Sequence, residues 1–139
     1  MSSGAVVEAI AAMRAAYDAV ADLPVDTLTH PEILSVLQEL ETLNRQLPTQ
    51  SHRLLARLQR EASPTALGAR TLRDVLTARL RISGAEARRR LGEAADLGPR
   101  VALSGEPQEP VLAKVATAQA DGAIGTGHVE VIRRFFAHL

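Results

Sequence analysis

The longest unbroken pattern in the chain is an apolar stripe of helical period between Thr29 and Glu61. Val36, Leu40, Leu43, Leu47, Leu54 and Leu58 fall on one face of an α-helix, with Ile33, Leu37 and Leu55 beside them. Thr29 and Glu32 form a T-x-x-E capping box, and Pro31 sits in the first turn, where its missing N–H costs nothing. A helix of about 30 residues spans roughly 45 Å at 1.5 Å per residue. Pro48 falls inside it, removes the hydrogen bond to the Asn44 carbonyl and crowds that carbonyl. Because the stripe resumes in phase beyond Pro48, the pattern predicts a kinked helix rather than two separate ones.

The same period runs through the rest of the chain. Val6, Ile10, Met13, Tyr17 and Val20 predict a helix from about Ala5 to Ala21, ended by Leu23-Pro24. A loop at residues 62–68 precedes a short helix, Leu72 to Leu80, capped by Thr71, with Leu72, Val75, Leu76 and Leu80 inward. After a tight turn at Arg81-Ile82-Ser83-Gly84, Ser83 and Glu86 open a helix to Leu97 along Ala87, Leu91 and Ala94, stopped by Gly98-Pro99. Residues 104–110 read as a loop. A helix beginning with Val111, Val115 and Ala118 ends near Gly122, and Thr126 caps a last one with Val129, Ile132 and a buried aromatic pair, Phe135 and Phe136. No strand alternation competes. The expected fold is all-α with five or six helices: one domain over residues 1–139, a long-helix hairpin at 1–62 and short helices at 63–139.

Composition removes several functions. The 139 residues include no Cys, so a thiolate metal site, a Cys nucleophile and a disulfide scaffold are excluded. With no Trp, one Tyr and two Phe, stacking on nucleobases has almost no means. The start of the chain lacks a basic n-region, and no apolar window approaches the ~20 residues a membrane span needs. A cytoplasmic chain with no membrane partner is the expectation.

Formal net charge is zero, from 16 basic and 16 acidic side chains. The charge is nonetheless partitioned. Residues 1–62 carry five basic and eight acidic groups (−3), residues 63–103 eight and four (+4), and residues 104–139 three and four (−1). The basic excess falls on the helix–turn–helix at 72–97, an outline suited to duplex DNA, with arginine suited to phosphate and guanine edges. Arg73, Arg81, Arg88 and Arg89 are the candidate phosphate contacts. The competing reading is a solvated face, since Glu86–Arg90 and Arg89–Glu93 are (i, i+4) pairs and Gly84-Ala85-Glu86-Ala87 lacks small polar base readers.

No catalytic or metal residue can be nominated. His30, His52, His128 and His138 show no (i, i+4) pairing for zinc, and every acid falls where a solvated helix face is expected. Asn44 is the only Asn, so a nuclease centre of His and Asn cannot be assembled from the chain. The Gly122–Gly127 stretch follows a helix and lacks Lys, so it is a turn rather than a phosphate loop. No cofactor is implied. A separate possibility is self-association through the long helix, with Leu40, Asn44 and Leu47 as the seam of a homodimer and Asn44 setting its register.

The order of Leu67-Gly68-Ala69-Arg70-Thr71-Leu72-Arg73, Leu80-Arg81-Ile82-Ser83-Gly84-Ala85-Glu86-Ala87-Arg88-Arg89-Arg90-Leu91 and Gly122-Ala123-Ile124-Gly125-Thr126-Gly127-His128 is distinctive. It resembles the N-terminal region of the actinobacterial 13E12-repeat proteins, the domain-of-unknown-function 222 family, over residues 29–139. An aromatic common in the family's first short helix is replaced here by Val75 or Leu76, and Pro48 is atypical. The resemblance implies a helical domain followed, in a longer chain, by an HNH endonuclease domain that carries the catalytic and metal residues. That domain has no counterpart here, so this chain reads as a truncated, non-catalytic helical module, DNA-associated or self-associating.

Overall fold

The computed structural model describes residues 3–139. Among them six α-helices dominate, and the fold is predominantly α. They are α1 (Ser3–Ala21), α2 (His30–Glu61), α3 (Leu72–Leu80), α4 (Gly84–Leu97), α5 (Ala113–Ala120) and α6 (Thr126–Ala137). No helix of the described residues is long and apolar enough to cross a membrane. The chain divides into two compact units, Met1–Gln38 and Glu39–Leu139, so α2 begins in the first and ends in the second.

The first unit holds α1, a single 3-10 turn at Val25–Thr27 and the start of α2. The capping box forms as its spacing predicts: the Thr29 N–H donates to Glu32 Oε1 at 2.9 Å, and the Glu32 N–H donates to Thr29 Oγ1 at 3.3 Å. Every described residue of α1 is exposed.

In the second unit α2 is one helix through Pro48, so the chain does not break there. Its buried positions are His52 and Leu55. Leu54, expected in the stripe, is 69% exposed, because the face turned to α4 runs one residue further on, through Leu55. Leu55 meets Leu76, Ala87 and Ala94, with Leu58, Ile82 and Leu91 packed around them. α3 and α4 have the bounds their caps dictate. Thr71 Oγ1 accepts from the Asp74 N–H at 3.1 Å, and Ser83 Oγ accepts from the Glu86 N–H at 3.0 Å. Between them Arg81 adopts a left-handed conformation (φ 56°), which lets the two helices turn sharply. Leu80, next to that turn, faces out rather than in.

Three other expectations are corrected. Residues 100–108 close into a minimal antiparallel pair, β1 (Arg100–Val101) with β2 (Pro107–Gln108), around Gly105 at φ +89°. Its side chains are exposed, so it leaves no apolar alternation to read. The N-cap of α6 is Gly125, not Thr126. Phe135 and Phe136 meet edge to face, 5.5 Å between ring centres, but they are exposed rather than buried.

Polar side chains and one backbone hydrogen bond fasten the later helices to α2 and α4. Gln46 Nε2 donates to the Ala120 carbonyl at 3.0 Å, and Gln59 Nε2 donates to the Leu91 carbonyl at 3.3 Å. The Leu112 N–H donates to the Asp96 carbonyl at 2.9 Å, joining α5 to α4. Arg133 of α6 reaches Asp96 of α4 at 2.8 Å and Glu130 on its own helix at 2.7 Å. It lies across Gly92, where a Cβ would stand 2.6 Å from the guanidinium.

Candidate nucleic-acid interface

The basic helix pair sorts its arginines into two groups. Arg89 turns inward along α4, donating to Glu93 and to both carboxylate oxygens of Glu86. Arg90 also reaches Glu86, at 2.9 Å. The two guanidinium hydrogen bonds hold the Glu86 carboxyl down at about 2. Arg81 and Arg88 are exposed and have no carboxylate partner among the described residues. Arg73 makes a surface contact with Asp74 at 3.4 Å, of a kind worth about 0–1 kcal/mol.

Arg73 and Arg88 flank one open groove. Its other lining residues are Gln59, Thr71, Leu91, Gly92 and Ala95, with no carboxylate among them. The structure therefore brings two of the four candidate arginines together, leaves Arg81 at the turn, and commits half-buried Arg89 to the Glu86 and Glu93 carboxylates.

The sequence pairs Arg89 with Glu93 by (i, i+4) spacing but does not disclose what else meets that carboxylate. Glu93 is 1% exposed, not on a solvated face, and its oxygens are fully engaged. Oε1 accepts from His52 Nε2 at 3.2 Å and from Gln119 Nε2 at 3.5 Å, while Oε2 takes Arg89. One carboxylate thus cross-links α2, α4 and α5. Burial pushes the Glu93 carboxyl up, but the His52 hydrogen bond and attraction, the Arg89 charge and the Gln119 amide together outweigh it and hold it below its ordinary 4.5. The available signal was spacing: Glu93 lies four residues before Leu97 and next to Ala94, at the edge of the apolar face.

These carboxyls make the second unit acid-sensitive. Both have folded values below the unfolded 4.5, so their stabilisation is complete above that pH. It is lost as pH falls toward about 2, the folded value of Glu86. Urea unfolding free energy is expected to hold steady from neutral pH to about 5 and to decline below it. A flat profile down to about pH 3 would contradict the network.

His52, Glu93, Arg89 and Arg90 also edge a cleft of about 290 Å³ with Asn44, Ser51 and Thr126. Of the self-association candidates, Leu47 and Asn44 lie on its rim, while Leu40 is exposed elsewhere on α2. Among the described residues no group of three or more His, Cys, Asp or Glu could hold a metal ion.

A family model described as "Domain of unknown function (DUF222)" matches residues 34–139. The chain is 46% identical over 134 residues to "Uncharacterized protein MT1160" of Mycobacterium tuberculosis (strain CDC 1551 / Oshkosh), covering 96% of this chain and 32% of that one. It is 46% identical over 139 residues to "Uncharacterized protein Rv3466" of Mycobacterium tuberculosis (strain ATCC 25618 / H37Rv), covering 98% and 62%. To "Uncharacterized protein Mb1614c" of Mycobacterium bovis it is 45% identical over 130 residues, covering 94% and 58%. The chain thus spans less than two thirds of the length of these curated relatives. No solved structure matches it. Because that family's pattern matches residues 34–139, well over half of the sequence, the chain belongs to the family of the domain of unknown function DUF222.

Proposed function

We propose that this chain is a non-catalytic helical module that holds duplex DNA through the outward arginines of α3 and α4. In a longer protein it would position a separate nuclease domain of the HNH type, as the resemblance implies. One observation carries the reading: Arg73 and Arg88 flank a groove with no carboxylate in its lining, and Arg81 stands exposed at the adjoining turn. Guanidinium groups placed so can bond phosphate oxygens, which position a protein on DNA without reading its sequence. The aromatic poverty of the chain fits backbone contact rather than base stacking.

Fluorescence anisotropy with a labelled duplex at low salt tests it. The Arg73→Ala/Arg88→Ala double variant is expected to bind more weakly by on the order of tenfold or more, equally for unrelated sequences. Its thermal unfolding should match that of the parent, because neither side chain is buried. Equal affinity of parent and variant would overturn the proposal.

A further inference from the structure

The first unit carries an unexplained surface. Of the 19 residues of α1 only Glu8, Arg14 and Asp18 are charged, yet every one of its residues is exposed. Between Val6 and Leu37 eleven large apolar side chains are 42–67% exposed. Contiguous apolar surface of this kind marks an interaction site.

We propose that the occupant is α1 of a second copy of this chain, packed antiparallel about a twofold axis at Met13. The stripe is Val6, Ile10, Met13, Tyr17 and Val20, so its members stand at −7, −3, 0, +4 and +7 from Met13. That spacing is nearly the same read in either direction. An antiparallel copy therefore sets Val6 against Val20, Ile10 against Tyr17, and Met13 against itself. A twofold interface requires such self-complementarity, whereas an unrelated partner would not. The alanines between the stripe residues leave room for close helix approach. The length also fits: at 1.5 Å per residue the 19-residue α1 is about 28 Å long, enough for all five stripe residues of each copy to meet across the axis. Pairing through α1 differs from a seam at Leu40, Asn44 and Leu47, which it does not need.

Light scattering on the whole chain tests the proposal. A particle of twice the 14.8 kDa chain mass is expected, dissociating on dilution. Ile10→Lys/Tyr17→Lys should halve the mass while circular dichroism retains the helices of the second unit, and Asn44→Leu should leave the mass unchanged. Because the chain has no Cys, Met13→Cys places one thiol per copy on the axis. Mild oxidation should join it into a covalent dimer, while Leu54→Cys, exposed on α2, should not. A mass of one chain at every concentration would overturn the proposal, as would a dimer that survives the lysine variant. A cross-link at Leu54→Cys but not at Met13→Cys would overturn it too, as would capture of an unrelated protein by a chain that stays monomeric.

Discussion

Glu93→Ala is expected to lower the unfolding free energy of the second unit by roughly 2–4 kcal/mol, because it strands buried hydrogen-bond donors that each cost about 1–3 kcal/mol to leave unpaired. The effect is large because two buried groups lose their acceptor together, while Arg89 loses one of its two carboxylates and keeps Glu86. The Arg89 guanidinium, His52 Nε2 and Gln119 Nε2 all converge on the two Glu93 oxygens. His52 and Gln119 are buried with Glu93, so water does not replace what is lost. Gln119 Oε1 is already buried with no partner among the described residues, which leaves the cluster little slack. The measurement is urea denaturation followed by circular dichroism. A companion variant, His52→Leu/Glu93→Leu, should lose less than the sum of its single changes, because removing both partners leaves fewer groups stranded. A loss below about 1 kcal/mol for Glu93→Ala would mean that the network is not a cross-link.

The second large effect is expected at Gly98, where α4 ends against α2. A Cβ there would stand 2.5 Å from the Ala94 carbonyl oxygen, 3.0 Å from the His52 carbonyl oxygen and 3.1 Å from the Ala56 Cβ. Two of those neighbours are backbone, so no side chain can swing away. Gly98→Ala should cost about 3 kcal/mol, the upper part of the range for overpacking a core. Gly84→Ala is the control. It opens the same helix, its Cβ would meet nothing, and exchange of Gly for Ala there should cost nothing and stabilise by up to about 0.5 kcal/mol. Equal stability of the two variants would contradict the close approach of α2 and α4.

Local chemistry made much of this fold readable. Thr71, Ser83 and Gly98-Pro99 announce helix ends through their own side chains or backbone, and α3 and α4 begin and end where those residues require. Long-range pairing left no such mark. Two partners of Glu93 lie 41 residues away at His52 and 26 away at Gln119, so the spacing of Glu93 beside Ala94 and Leu97 hints at its place on the apolar face but not at what meets it there. The candidate interface was legible as composition, a run of arginine on a helix–turn–helix, but not as allocation. Spacing gave Arg89 an (i, i+4) acid at Glu93 and Arg88 none, yet both remained candidate phosphate contacts. Packing separates them, because Arg89 lies one turn before a buried acid and Arg88 points into the open groove. The short β1–β2 pair escaped notice because it buries no side chain.

Salt dependence of duplex DNA binding examines the division of the arginines most directly. Neutralising a phosphate releases condensed counterions, so each contact contributes about −0.9 to the slope of log K against log salt on duplex DNA. With Arg73, Arg81 and Arg88 on the backbone, a slope close to −3 is expected for the parent chain and close to −1 for Arg73→Ala/Arg88→Ala. A slope near zero, or one that the double substitution leaves unchanged, would contradict a DNA-holding role for this face.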